Sequence, residues 1–287
     1  MGKVAIITDS ASCLPPSLQE RYGIEAVPLR YQFGKRSFAD NVSLGADEFY
    51  SLLKTSRRLP TTAAPGPGVF LEAFRQAHYR GAREMLCIVT GSTLTATYGS
   101  ACQGAELAQQ ELPDARIRVL DSCSAASSLG FVVQAAAQAA DDGATLEEAM
   151  AAAQDLVPRL HMIGMLDTLE YLAKSGRVPR VTAWLSSLVQ MKPLFEFVGG
   201  HVRHLGAVRT RRRALTRLLD LMRHRASPDK HLHVAIFHAR SLGEAEQLAH
   251  QVRQAFRPVE LYITEFSQVM SIHSGPGLVG LAFYNEP

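Results

Sequence analysis

The chain contains no apolar run near the roughly 20 residues that a bilayer-spanning helix needs, so stable membrane insertion is not expected. Cysteine is scarce. Cys13, Cys87, Cys102 and Cys123 show neither CxxC nor zinc-ligand spacing, and the chain enters its first strand, residues 3–7, without a basic or apolar leader. Both features predict a reduced, cytoplasmic protein. Charge of either sign is also sparse: charged residues make up 20% of the chain and the formal net charge is +3, which does not describe a nucleic-acid surface. Neither a GxxxxGKS/T loop nor a GxGxxG after the first strand is present, which removes the usual cradles for a nucleotide. The pairs His201/His204 and His231/His233 lack a cysteine or carboxylate at ligand spacing, so neither a metal nor a cofactor is expected.

Apolar residues, by contrast, are plentiful, at 47% of 287 residues, enough for two cores. Residues 4–7, 85–89 and 117–120 read as strands, each ending in a hydroxyl-rich turn before a helix. That repeated order predicts an α/β fold whose parallel sheet has its crevice at the carboxyl ends of the strands. A further strand is expected over residues 24–31, with Gly34-Lys35 as a turn, and helices over residues 43–53, 69–78, 96–111, 129–140 and 145–155. Residues 59–68, LPTTAAPGPG, read as a loop that delivers Thr61 and Thr62 in extended backbone. Val157-Pro158 is the expected boundary between two domains, residues 1–157 and 158–287. In the second, residues 160–166 are apolar and methionine-bearing, strands are expected over residues 232–238, 259–266 and 279–284, and a hairpin over 192–198 and 201–209 turns at Gly199-Gly200. Helices are expected over residues 168–174, 211–223 and 242–256, and residues 181–190, apolar on most sides, form a helix that must be covered all round.

Chemistry is expected at residues 85–101, MLCIVTGSTLTATYGSA, where an apolar strand ends in a hydroxyl cluster. Ser92, Thr93 and Thr95 then sit beside helix amides whose partial positive charge suits a carboxylate or phosphate. The plainer alternative is that these hydroxyls cap the helix.

Nine stretches in order carry a resemblance that covers nearly the whole chain. They are TDSASCLP (residues 8–15), VPLRYQFG (27–34), PTTAAPGPGVF (60–70), GSTLTATYGSA (91–101), VLDSCSAASSLG (119–130), LEYLAKSGRV (169–178), MKPLFEF (191–197), VRTRRRA (208–214) and HSGPGLVGLAFY (273–284). Together they resemble the DegV family, bacterial fatty-acid-binding proteins that work with a fatty acid kinase. The resemblance implies an N-terminal α/β/α parallel-sheet domain and a C-terminal domain of mixed β-sheet plus helices. It also implies that the head-group ligands are Thr62, Ser92 and His273, with Thr95 in the same hydroxyl cluster. This chain departs from the family's TSQPSP loop, which here is Thr62-Ala63-Ala64-Pro65-Gly66-Pro67, and from its LSGTY, here Leu94-Thr95-Ala96-Thr97-Tyr98. Cys13 stands where an acidic residue is usual.

A fatty acid offers one carboxylate and a tail worth about 0.8 kcal/mol per buried methylene, on the order of 10 kcal/mol for a chain of roughly 16 carbons before binding costs. The tail supplies the affinity, and neutral donors suffice to position the head. A tightly paired arginine would blunt the carboxylate oxygen that must attack ATP in the kinase reaction. The tail is expected against Ile163, Met165, Leu166, Trp184, Leu188 and Phe195, for each of which ordinary core is the competing reading. Arg209 is expected to meet the kinase or the acyl phosphate; Arg211, Arg212 and Arg213 can equally be a solvated helix face. The alternative function is a serine-dependent esterase or thioesterase with Ser92 as nucleophile, His273 as base, and Asp9 or Asp121 as its orienter, although no G-x-S-x-G elbow is present.

Overall fold

The computed structural model describes residues 3–56, 58–176 and 190–287. The chain divides into two compact units, one of residues Met1–Gly45 and Thr61–Pro158 and the other of Ala46–Pro60 and Arg159–Pro287.

In unit one, β1 (Ala5–Asp9) leads through a short 3-10 turn (Ser10–Ser12) to α1 (Pro16–Tyr22), which starts at a proline and stops at Gly23 in left-handed backbone (φ 67°). Strand β2 (Glu25–Val27) is followed by β3 (Arg30–Phe33) and β4 (Arg36–Ala39). Here one strand was expected over residues 24–31, and two are found in different sheets. Pro28, with no N–H to donate, ends the first ladder. Helix α2 (Ala46–Thr55) belongs to the second unit, and the chain returns with β5 (Thr61–Ala63), which pairs antiparallel with β3 (Tyr31↔Thr62). The expected loop over residues 59–68 therefore contains a strand of a small sheet ordered β4-β3-β5.

Helix α3 (Pro67–Tyr79), β6 (Glu84–Val89), α4 (Thr97–Glu111), β7 (Arg116–Asp121), α5 (Ala126–Asp141) and α6 (Leu146–Leu156) complete this unit. Its main sheet is parallel throughout, ordered β2-β1-β6-β7. Ile7, Met85, Cys87, Val89 and Ile117 pack on one face against Phe70 and Phe74 of α3 and Ala101 and Ala108 of α4. Helices α5 and α6 meet the strands on the other face. Successive strands run outward from β1 in opposite directions, so the switch point lies between β1 and β6, where α/β sheets place their ligand crevice.

Unit two contains β8 (His161–Met165), α7 (Glu170–Ser175), β9 (Lys192–Val198), β10 (His201–Val208), α8 (Arg211–Arg225), β11 (Leu232–His238), α9 (Leu242–Phe256), β12 (Glu260–Glu265), α10 (Gln268–Ser274) and β13 (Val279–Asn285). Its six strands form a mixed sheet ordered β10-β9-β8-β13-β11-β12, antiparallel except for β11 with β12. One face buries Ile163, Met165, Leu194, Val234, Ile236, Val279 and Leu281 under Leu215 and Leu218 of α8 and Leu248 and Val252 of α9. Because side chains alternate along a strand, Met162, Phe195, Phe197, Ala235, Phe237 and Ala282 point to the opposite face. Phe266 stacks on Phe237 there, ring centroids 4.9 Å apart. Ser267, the next residue, caps α10, so that helix enters from the face opposite α8 and α9.

Candidate functional site

The carboxyl ends of β1, β6 and β7 are tied together by two aspartates. Asp9 is fully buried and accepts from the Ala11 amide (2.9 Å), the Thr90 amide (2.7 Å) and the Thr90 hydroxyl (2.9 Å). Burial pushes its carboxyl up to about 6, aided by nearby Asp40 and opposed by the three donors. Asp40 in turn accepts from Ser10 Oγ (2.6 Å), whose oxygen accepts from the Leu29 amide (3.0 Å). Asp121 accepts from the Ser92 amide at 3.2 Å and the Cys123 amide at 2.9 Å. Gly91 makes this junction possible: a Cβ there would lie 3.2 Å from the backbone of Cys123 and Ser124. Both aspartates are thus committed to loop geometry in their own unit, which leaves the triad reading without support from either.

Ser92 and Thr93 are exposed and Thr95 is half-buried, its hydroxyl 2.9 Å from that of Thr97. The Ser92 amide is taken by Asp121, so what Ser92 offers a ligand is its hydroxyl. The N-cap of α4 is Ala96, which makes no side-chain bond to the helix. Thr62, half-buried, sits mid-strand on β5 with its position set by Tyr31 of β3. Unit one therefore gathers Ser92 and Thr95 on one loop, and Thr62 on a separate small sheet.

In unit two His273 lies in the last turn of α10, and the glycine-rich turn begins after it, with Gly275 at φ 73° and Gly277 at φ 92°. Helix α10 packs against α7 and α2, and Tyr50 of α2 shares a hydrogen bond with Ser271 (2.9 Å between oxygens). Arg209 follows β10 and is exposed, one residue before Thr210, whose side chain accepts from the Arg213 amide as the cap of α8. Arg212 and Arg213 are exposed on the helix surface, but Arg211 is not a solvated residue. It pairs with Asp167 (2.8 Å) and Glu244, and donates to Gly277 O at 2.8 Å.

The residues expected to line a tail divide between the two faces of the mixed sheet. Ile163 and Met165 are buried in the core under α8 and α9, with no exposed surface. Phe195 lies on the α10 face, and Leu166 continues the parity of Met162 and Gly164, its amide bonded to Pro193 O at 2.9 Å. Trp184 and Leu188 lie outside the described residues. On the α10 face, Gly164 and Gly280 are cross-strand partners, and the rings of Phe195 and Phe237 lie over them; a Cβ at Gly164 would fall 2.7 Å from the Phe195 ring. Phe237 and Phe266 on this face are not singled out by the sequence. Only alternation along β11, read against its neighbours, could have signalled the first of these.

Among the described residues no group of three or more His, Cys, Asp or Glu side chains is arranged to hold a metal ion, and no helix is long and apolar enough to cross a membrane.

Comparison with known proteins agrees with this architecture. Residues 3–286 match the family model described as uncharacterised protein, DegV family. A DegV domain-containing protein of Streptomyces coelicolor is 33% identical over 279 residues, covering 97% of each chain. Among solved structures, a fatty-acid-binding DegV family protein from Thermus thermophilus is similar with TM-score 0.90 and 27% identity, over 99% of this chain and 100% of that one. A stearic-acid-binding protein from Eubacterium ventriosum shares the fold with TM-score 0.90 over 98% of both chains, at 22% identity.

Proposed function

Because this chain belongs to the DegV family, we propose that it binds a long-chain fatty acid and presents the carboxyl group to a separate ATP-dependent fatty acid kinase, without catalysing a reaction of its own. The observation that carries the reading is the stacking of Phe266 on Phe237. It supports a tail on the same side of the mixed sheet as the helix bearing His273, against Leu166, Phe195 and the Gly164–Gly280 floor. The Thermus protein with which the chain aligns end to end is itself described as fatty-acid-binding.

Thr62, Ser92, Thr95 and His273 are the proposed head-group ligands. Hydroxyls and an imidazole position a carboxylate without quenching its nucleophilicity, as a fixed arginine would. Arg209, exposed at the start of α8, is the proposed contact for the kinase or for the charged acyl phosphate.

The test is to combine this protein, palmitate or oleate, ATP and a fatty acid kinase subunit, and to measure acyl phosphate. The reading expects product only when this protein is included, and no hydrolysis of acyl esters by the protein alone. Kinase turnover unaffected by its omission, or esterase activity lost in Ser92→Ala, would contradict it.

A further inference from the structure

The turn after His273 has little of its own to hold it. Pro276 has no N–H, Gly275 and Gly277 adopt left-handed backbone, and the main-chain anchors are Gly275 N to Ser271 O (2.9 Å) and Gly277 N to Ala239 O (2.8 Å). Side chains add to these: Ser274 Oγ donates to Gly275 O (3.4 Å), and Tyr171, Asp167 and Arg211 pack against the glycines. The Tyr171 ring lies flush against Gly275, leaving no room for a Cβ. At Gly277 a Cβ would meet Asp167 Cβ at 2.7 Å and Arg211 Nη1 at 3.1 Å.

All three nitrogens of the Arg211 guanidinium donate hydrogen bonds. Nε donates to Glu244 Oε1 (2.7 Å), Nη1 to Asp167 Oδ1 (2.8 Å), and Nη2 to Gly277 O (2.8 Å) as well as to Glu244. Lys192 Nζ closes the network on Asp167 at 2.5 Å. Burial alone would lift the Asp167 carboxyl, but Lys192 and Arg211 hold it below the usual range; Glu244 and Asp167 likewise raise Arg211 further. Only the planar fork of an arginine reaches two carboxylates and a carbonyl at once; a lysine ammonium keeps the charge but not that geometry.

Resting on the assignment of His273 to the head group, we propose that Arg211 and Tyr171 are positioning residues for fatty-acid binding: together they clamp the Gly275–Gly277 turn and so fix where the His273 imidazole stands. If the network served only to dock α8 on the sheet, its loss would lower stability and leave binding to His273 unchanged.

The experiment compares the parent, Arg211→Lys, Tyr171→Leu, His273→Ala and the double variant Arg211→Lys/His273→Ala, by palmitate and oleate binding, thermal melting, and the His273 ring resonances in proton NMR. Arg211→Lys is expected to melt close to the parent, to weaken binding roughly tenfold, the equivalent of about 1.4 kcal/mol, and to shift the His273 resonances. Tyr171→Leu is expected to do the same, and the double variant to bind no worse than His273→Ala. Parent-like binding in both Arg211→Lys and Tyr171→Leu, or losses that multiply in the double variant, would overturn the proposal. Parent-like binding by His273→Ala would overturn the head-group assignment, and this inference with it.

Discussion

Phe266 and Phe237 stack with their ring centroids 4.9 Å apart and their planes 22° from parallel. This contact places the start of α10 on the side of the mixed sheet opposite the core under α8 and α9. Phe237 points away from the core under α8 and α9, and Phe266 brings α10 and His273 to that same side.

Gly164 and Met165, adjacent on β8, point to opposite faces of the sheet, so under the proposed reading they test tail binding and core stability separately. Gly164→Ala pushes a Cβ against the Phe195 ring, whose far edge can yield, so the protein should fold while its fatty-acid affinity or chain selectivity changes. Met165→Ala empties a site in the closed core and should cost about 2–5 kcal/mol, with binding retained below the melting temperature. Urea unfolding paired with fatty-acid binding distinguishes the two, and equal effects on binding would contradict the assignment of faces.

Ser92→Ala removes an exposed hydroxyl whose backbone amide remains held by Asp121, so stability should change by under about 0.5 kcal/mol while fatty-acid affinity falls. Asp121→Ala should do both kinds of damage, because it frees the Ser92 and Cys123 amides together. Binding isotherms alongside thermal melts check this. Intact affinity in Ser92→Ala would remove it from the ligand set.

Asp9 should titrate in the folded protein near 6, above its ordinary value of 3.8. The folded state then holds this proton more tightly than the unfolded chain does. The group's contribution to stability is therefore greatest in acid, declines as pH rises between those two values, and is a constant cost above them. Carbon-13 NMR of the Asp9 carboxyl reads the midpoint directly, and a midpoint near 4 would contradict the account. Asp9→Asn should not relieve the cost, since its NH₂ would face the Thr90 amide, a second donor; a loss of about 1–3 kcal/mol is expected.

His233 has the same pH dependence as Asp9, but from favourable ion pairing instead of burial. Its ring nitrogens lie 2.9 Å from Glu260 and from Glu286, and carboxylates only accept, so both nitrogens must carry protons. Burial works against that charge, but the two carboxylates prevail and raise the His233 pKa. A raised folded pKa gives stability fully present below the unfolded value near 6.5 and lost as pH rises through the folded one. His233→Ala should thus lower the melting temperature more at pH 6 than at pH 9. An equal drop at both would show the ring to be neutral.

Much of this architecture was legible in the residues. Strands β1, β6 and β7 each end an apolar run in hydroxyls, and the hairpin at Gly199-Gly200 joins β9 to β10 as its glycines require. What was not legible has physical causes. Strand β5 is three residues inside a proline-rich stretch, too short for any periodicity to register, and the break at Pro28 is visible only once two sheets compete for the same segment. Along β8, Met162, Ile163, Gly164 and Met165 are all apolar because both faces are covered, so the run cannot say which residues face the core under α8 and α9 and which face away from it. Arg211 stands in a run of three arginines that looks like a solvated face. Its partners Asp167, Glu244 and Gly277 are 44, 33 and 66 residues away in sequence, beyond the reach of any local pattern.

The most direct test of a tail bound on the α10 face is mass spectrometry of the protein purified without detergent or added lipid, then denatured to release its contents. The account predicts a long-chain fatty acid near one per chain in the parent and in folded Met165→Ala, with reduced yield or an altered chain profile in Gly164→Ala. A parent protein that releases no acyl chain, and takes up neither palmitate nor oleate when these are supplied, would contradict it.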